Sequence, residues 1–261
     1  MEKFDQPQKF TAEALEGQAR HGVLWTAGFE SPRRIIAPSG HLALGTDRGG
    51  RKDNQDALVL HLDRDAFAVV DGMGGYDHGD MAARLVATAI KDDFDQPVAD
   101  PTAIQFQAYR QMREENIWQG GAVYLAGRIE DHGKKLLLYG AGDSQLIVVD
   151  RRGKIKYVSE ATALDTAPSG RGVGQPSIMT TIGLDNYDTI IAATDGLWNN
   201  ATAEAVAQLV VNQPVEQVLA QVAALGMAGM TAERGDGNFG NPDNISVIVY
   251  QVMPVPLRGK Q

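Results

Sequence analysis

Four aspartates stand where a short apolar run ends or begins. AFAVV runs into Asp71-Gly72, KLLLY into Gly140-Ala141-Gly142-Asp143-Ser144, TIIAAT into Asp195-Gly196, and Asp243-Asn244 opens ISVIV. Runs of this length and composition read as strands whose ends lie near a core, where a carboxylate is costly unless it is paired or binds a cation. Any one Asp-Gly or Gly-Asp-Ser is an ordinary turn sequence. Four together do not reduce to turns, because a turn has no need of an apolar strand beside each acid. Converging carboxylates with no His or Cys among them make a hard oxygen site, which suits Mg2+ or Mn2+ rather than zinc.

Two neighbouring segments gain meaning from that site. The loop DGMGGYDHGD precedes a helical pattern, and strand, glycines and helix also describe a phosphate loop. It has neither G-x-G-x-x-G nor G-K-[ST], and it opens on an acid that repels phosphate. Glycine after Asp71 instead lets a backbone carbonyl come close to a metal. Upstream, Arg51-Lys52-Asp53-Asn54-Gln55-Asp56 alone reads as a solvated polar loop. Beside a metal site, Arg51 becomes a candidate phosphate clamp, since guanidinium matches phosphate oxygens in a bidentate way.

Composition bounds the alternatives. The 261 residues are 43% hydrophobic and 22% charged, enough apolar material for a sizeable core. With no cysteine, disulfides, zinc–thiolate sites and a cysteine nucleophile are excluded. A net charge of −9 without a basic run makes nucleic acid a poor partner. The start MEKFDQPQKF lacks the layout of a signal peptide, and no apolar stretch spans a bilayer, so the expectation is a cytoplasmic protein without membrane association.

The elements that must position these residues follow from periodicity. Residues 1–40 read as an N-terminal extension, with a short helix over Thr11–Arg20 and an irregular lead-in over Glu30–Gly40. Ala57–Leu62 and Ala66–Val70 form a hairpin. A helix follows with Asp80 as its cap, and Asp100-Pro101 starts a second that runs to near Trp118. Strands are expected over Ala122–Ile129, Lys135–Tyr139, Gln145–Val149, Lys154–Val158, Ile178–Ile182 and Thr189–Thr194. Two helices come next, one after Thr202 and one over Pro214–Leu225, and then the strand ISVIVYQV. Strands and helices are segregated rather than alternating, which predicts an α+β fold with antiparallel sheets in one domain.

In this order, RKDNQDA, VVDGMGGYDHG, YGAGDSQLIVV, AATDGLW and DNISVIV resemble the metal-dependent protein phosphatase family, protein phosphatase type 2C, in its bacterial form. The resemblance implies a four-layer α-β-β-α sandwich of two antiparallel sheets flanked by helical pairs, with residues 41–255 as the catalytic domain and 256–261 as a tail. It implies that Asp71 bridges two metals, that the Gly72 carbonyl completes one shell, and that Asp195 and Asp243 bind the other metal. Asp143 with Asp195 would hold a weaker third ion. Arg51 matches the arginine that binds substrate phosphate, and Asp56 the acid that orients water. The cofactor is then Mn2+ or Mg2+. The activity is hydrolysis of phosphoserine and phosphothreonine in proteins phosphorylated by a Ser/Thr kinase, by direct attack of a hydroxide bridging the metals, in a monomeric signalling enzyme.

Departures from the pattern are few. Gln55 stands where Glu is frequent and brings no charge to a metal site. Met73 replaces a histidine of some eukaryotic members, and 153–178 is short for the substrate flap. Trp198 reads as a packing residue and His78 as an exposed loop histidine. His21, His41, His61 and His132 have no ligand spacing. Two other readings stay open: a pseudophosphatase that binds phosphoproteins without turnover, which the uncharged Gln55 keeps alive, and an unrelated metal hydrolase acting on small phosphate esters.

Overall fold

The computed structural model describes residues 21–24, 28–29, 32–73, 78–117, 120–161, 172–173, 178–233 and 240–254. Among the described residues thirteen strands run in chain order: β1 His21–Leu24, β2 Ile35–Ala37, β3 Gly40–Asp47, β4 Ala57–His61, β5 Ala66–Gly72, β6 Gly121–Glu130, β7 Lys135–Ala141, β8 Gln145–Val149, β9 Ile155–Val158, β10 Gly172–Val173, β11 Ile178–Gly183, β12 Thr189–Ala193 and β13 Ile245–Val252. The helices are α1 Gly79–Phe94, α2 Pro101–Glu114, α3 Asp195–Trp198, α4 Ala203–Gln208 and α5 Val215–Thr231. One sheet has the order β1-β4-β5-β6-β7-β11, with β10 pairing parallel to β6; the other has the order β2-β3-β13-β12-β8-β9 and is antiparallel throughout.

Three apolar layers explain why these strands are apolar on both faces. Leu58, Leu60, Phe67 and Val69 of the first sheet meet Leu42, Ile190, Ile248 and Tyr250 of the second. The alternate residues Val59, Ala68 and Val70 face outward onto Val86, Ile90 and Phe94 of α1 and Ile104 of α2. On the far side, Ile147, Ile191 and Val247 pack against Leu219 and Val222 of α5, Val206 of α4 and Leu197 of α3. The result is the expected four-layer α-β-β-α sandwich, with one long helix and two short ones on the second face in place of a pair.

Several boundaries differ from the sequence reading, each for a local reason. The first helix starts at Gly79 behind His78, whose left-handed backbone forms the N-cap without a side-chain bond, so Asp80 lies inside the first turn rather than capping it. Asp100 does cap α2, accepting from the Thr102 and Ala103 amides, but α2 ends at Glu114 rather than near Trp118. Helix α5 continues to Thr231, beyond the expected Leu225. The region expected as an extension contributes to both sheets. β1 pairs with β4 in the register His21↔His61, and β2 pairs with β3 in the register Ile35↔Leu42. These short edge strands carry no periodicity to mark them. The helix expected over Thr11–Arg20 lies outside the described residues, as do Gly74–Asp77 and the tail 256–261. Among the described residues no helix is long and apolar enough to cross a membrane.

Candidate metal and phosphate site

Antiparallel pairing delivers the motif residues to one end of the sandwich. Ala57 at the start of β4 pairs with Val70 near the end of β5, and Ala141 at the end of β7 pairs with Tyr124 near the start of β6. In the other sheet, Ala193 at the end of β12 faces Val247, and Ile245 at the start of β13 faces Asp47 at the end of β3. Asp56 therefore precedes β4, Asp71-Gly72 ends β5, Asp143 follows β7, Asp195 follows β12 and Asp243 precedes β13, all at the same rim.

The backbone there is packed closely enough to require glycine. A Cβ on Gly72 would lie 2.5 Å from both the Gln55 and Gly79 carbonyl oxygens, and one on Gly196 would lie 1.8 Å from the Asn244 oxygen. Asn244 fastens the 48–55 loop across the sheet. Its Oδ1 accepts from the Gln55 amide at 2.9 Å, while its Nδ2 donates to the Arg48 and Asp53 carbonyls at 3.0 and 2.8 Å.

Electrostatics shows how closely the acids gather. Burial pushes the Asp71 carboxyl well above the usual range, and the charges of Asp56, Asp195, Asp143 and Asp243 push it further. Asp56, only 3% exposed, is raised to about 7, first by burial and then by Asp195 and Asp243, opposed by the nearby Ser246 hydroxyl and the hydrogen bond from Thr194. Asp195 is raised to about 6 by burial, Asp243 and Asp143, opposed by a hydrogen bond with Asp71 and by Arg51. Five like charges so arranged repel one another, and a divalent cation or protons must relieve them.

Individual contacts complete the geometry. Arg51 is 42% exposed at its side chain; its Nη2 donates to Asp243 Oδ2 at 2.8 Å and its Nε to the Pro242 carbonyl at 2.9 Å. Thr194 Oγ1 donates to Asp56 Oδ2 at 2.9 Å, whereas the buried Asp56 Oδ1 and Ser144 Oγ have no hydrogen-bond partner. The structure thus brings together all seven residues singled out in the sequence: Arg51, Asp56, Asp71, Gly72, Asp143, Asp195 and Asp243. Trp198 is held as a packing residue, its indole N–H shared between the Gln145 and Ala193 carbonyls at 3.0 Å each. His61 lies elsewhere, bonded to Asp95 at 3.0 Å and stacked on His21.

Sequence reasoning missed the polar residues beneath the acids: Thr194, Ser246, Thr46 and Asn54. Ser246 Oγ and Asn54 Nδ2 each lie 2.7 Å from Thr46 Oγ1. The available signal was a hydroxyl at the buried end of an otherwise apolar strand, as in TIIAAT and ISVIV.

The donor chemistry fits hard divalent cations, being oxygen only, crowded with like charge and carrying an orphaned buried carboxylate oxygen. Among the described residues no three acidic or histidine side chains close on a single point as a finished cage, and Arg51 takes one oxygen of Asp243. Ligation therefore calls for side-chain rotation within the cluster.

No model of a known protein family matches the chain. It is 26% identical over 238 residues, 79% of its own length, to the probable protein phosphatase 2C 55 of Arabidopsis thaliana, covering 50% of that protein. It is also 26% identical over 183 residues, 59% of its length, to the protein phosphatase PTC7 homolog fig of Drosophila grimshawi, covering 58% of it. The chain thus spans between half and three-fifths of the length of these relatives. Among solved structures, the Mycobacterium tuberculosis serine/threonine phosphatase PstP/Ppp superimposes with a TM-score of 0.63 at 22% identity, over 82% of this chain and 98% of that one. The PstP catalytic domain in complex with two manganese ions gives 0.61 at 21% identity, over 82% and 98%. In sequence, then, this chain resembles the type 2C protein phosphatases, and its fold is that of serine/threonine phosphatases such as PstP.

Proposed function

We propose that this chain is a divalent-cation-dependent serine/threonine protein phosphatase, with proteins bearing phosphoserine or phosphothreonine as its substrates. The observation that carries the reading is the gathering of five aspartates beside one exposed arginine, with the carboxyls of Asp56, Asp71 and Asp195 raised by burial and by neighbouring charge. Asp71, the Gly72 carbonyl, Asp195 and Asp243 would hold two Mn2+ or Mg2+ ions, with Asp143 serving a weaker third. When bound, such ions supply Lewis acidity that lowers the pKa of water and polarises phosphoryl oxygens. That one of the solved neighbours is a phosphatase complex with two manganese ions supports this choice of cofactor.

The protein's own groups divide the remaining work. Arg51 binds two phosphate oxygens through its fork and balances charge that grows on them as the P–O bond to serine or threonine breaks. Asp56, whose Oδ1 has no protein hydrogen-bond partner, would orient the attacking water. With no cysteine in the chain a cysteinyl phosphoenzyme is excluded, and direct attack by water needs no protein nucleophile. The relatives found by sequence are named as phosphatases, which favours turnover over the non-catalytic binding module.

The test is release of phosphate from a phosphothreonine peptide, with and without Mn2+, for wild type beside Asp195→Ala. Mn2+-dependent turnover that collapses in the variant is expected. Absence of turnover at millimolar Mn2+ would refute the enzyme reading, and a strong preference for small esters over peptides would refute the substrate class.

A further inference from the structure

Resting on that reading, we propose that Thr194 is a positioning residue for Asp56: it spends its single proton on Oδ2 and so leaves Oδ1 as the carboxylate oxygen without a protein partner. Thr194 occupies the N-cap of α3, where a threonine hydroxyl ordinarily accepts a hydrogen bond from an amide in the first turn. Here it makes no such cap bond. The hydroxyl is diverted across the sandwich to a residue 138 positions away, donating to Asp56 Oδ2 at 2.9 Å.

The direction of that bond is fixed by its neighbour. The Ser246 amide N–H donates to Thr194 Oγ1 at 3.0 Å, so the oxygen is already an acceptor and its proton is left for the carboxylate. A reciprocal bond from the Thr194 amide to the Ser246 carbonyl at 3.1 Å clamps β12 to β13 on both sides of this point. Thr194 is fully buried and Asp56 nearly so, which excludes water as a substitute donor. Asp56 is held at its backbone as well, its amide donating to Asn54 Oδ1 at 3.1 Å. With main chain and Oδ2 both fixed, rotation of the carboxylate is arrested and Oδ1 alone stays unpartnered. An ordinary core threonine satisfies its hydroxyl within its own element; this one satisfies it on a carboxylate of the cluster.

The test compares Thr194→Val, which keeps the shape and loses the hydroxyl, with Thr194→Ser, which keeps the hydroxyl. Both are made in wild type and in Asp56→Ala, which removes both acceptor oxygens, and Thr194→Ala replaces valine if the latter does not fold. Loss of a buried hydrogen bond to a charged group predicts a fall in kcat of about ten- to hundredfold for valine, with KM within about twofold. Serine should restore kcat to within about threefold of wild type, and valine should add less than about threefold once Asp56 is already alanine. Equal losses in the valine and serine variants, or an undiminished valine effect in the Asp56→Ala background, would overturn the proposal. Denaturant midpoints of wild type, Thr194→Val, Asp56→Ala and the double variant in EDTA at pH 8 give a readout independent of turnover. Coupling between positions 194 and 56 supports the bond even if wild type hydrolyses no phosphopeptide, and additivity overturns it.

Discussion

Replacing Asp56 by asparagine should stabilise the cation-depleted protein, and should do so in a pH-dependent way. The Asp56 carboxyl is raised from its ordinary 3.8 to about 7, chiefly by burial and further by Asp195 and Asp243. For an acid raised in the folded state, the associated stability is fully present below about pH 4 and is lost as pH rises through about 7. At pH 8 both states are ionised and the fold carries a penalty of about 4 kcal/mol, whereas at pH 5 it carries between about 1 and 2 kcal/mol. Asparagine removes the charge, keeps an oxygen able to accept from Thr194, and places an amide where the unpartnered Oδ1 stood. The expected advantage of Asp56→Asn is therefore about 3 kcal/mol larger at pH 8 than at pH 5. Guanidinium titrations in EDTA at the two pH values measure it directly. Excess Mn2+ should shrink the pH 8 advantage, because a cation neutralises the repulsion that asparagine removes. An advantage of equal size at both pH values, or a variant less stable than wild type at pH 8, would refute the assignment of Asp56 to a crowded buried cluster.

Three other perturbations test separate parts of the structure. Tyr250→Phe removes the donor 2.6 Å from Asp65 Oδ1, leaving that buried carboxyl with the Ser39 amide and raising it further; denaturant titration should show a loss of about 1–3 kcal/mol at pH 8 and a smaller one at pH 4. Gly196→Ala drives a Cβ to 1.8 Å from the Asn244 carbonyl oxygen, so it should cost about 1–3 kcal/mol or more and lower Mn2+ affinity measured by calorimetry, by displacing Asp195 and Asp243 together. Arg51→Ala should raise KM for a phosphopeptide about tenfold or more, while Mn2+ binding is retained in calorimetry.

The strand and helix inventory was legible because it depends on short-range pattern. Both faces of β4 and β12 are buried, so ALVLH and TIIAA read as continuous apolar runs, and Thr202 and Asp100 announced the helices they cap. The acids after those strands were legible for the same reason, since a charge at the end of an apolar run is locally anomalous. Beyond that point local pattern is silent. Four residues of β1 and three of β2 are too few for periodicity, and only pairing with β4 and β3 makes them strands. The start of α1 at a left-handed His78 was likewise invisible, because backbone geometry there does the work that a capping side chain usually does.

The sequence by itself determined which residue types carry charge, that their donors are oxygen, and that sheets and helices occupy separate stretches of chain. Only the tertiary structure decided which of these groups meet. Asp56 and Thr194, or Gln55 and Asn244, lie more than a hundred residues apart and touch because β4 and β12 belong to two sheets stacked with their motif-bearing ends together. The raised carboxyl of Asp56, the fixed direction of the Thr194 proton and the single free oxygen that results all depend on burial and on distances of about 3 Å. Those quantities exist only once hydrophobic packing has closed the sandwich, since desolvation and charge repulsion act through space rather than along the chain.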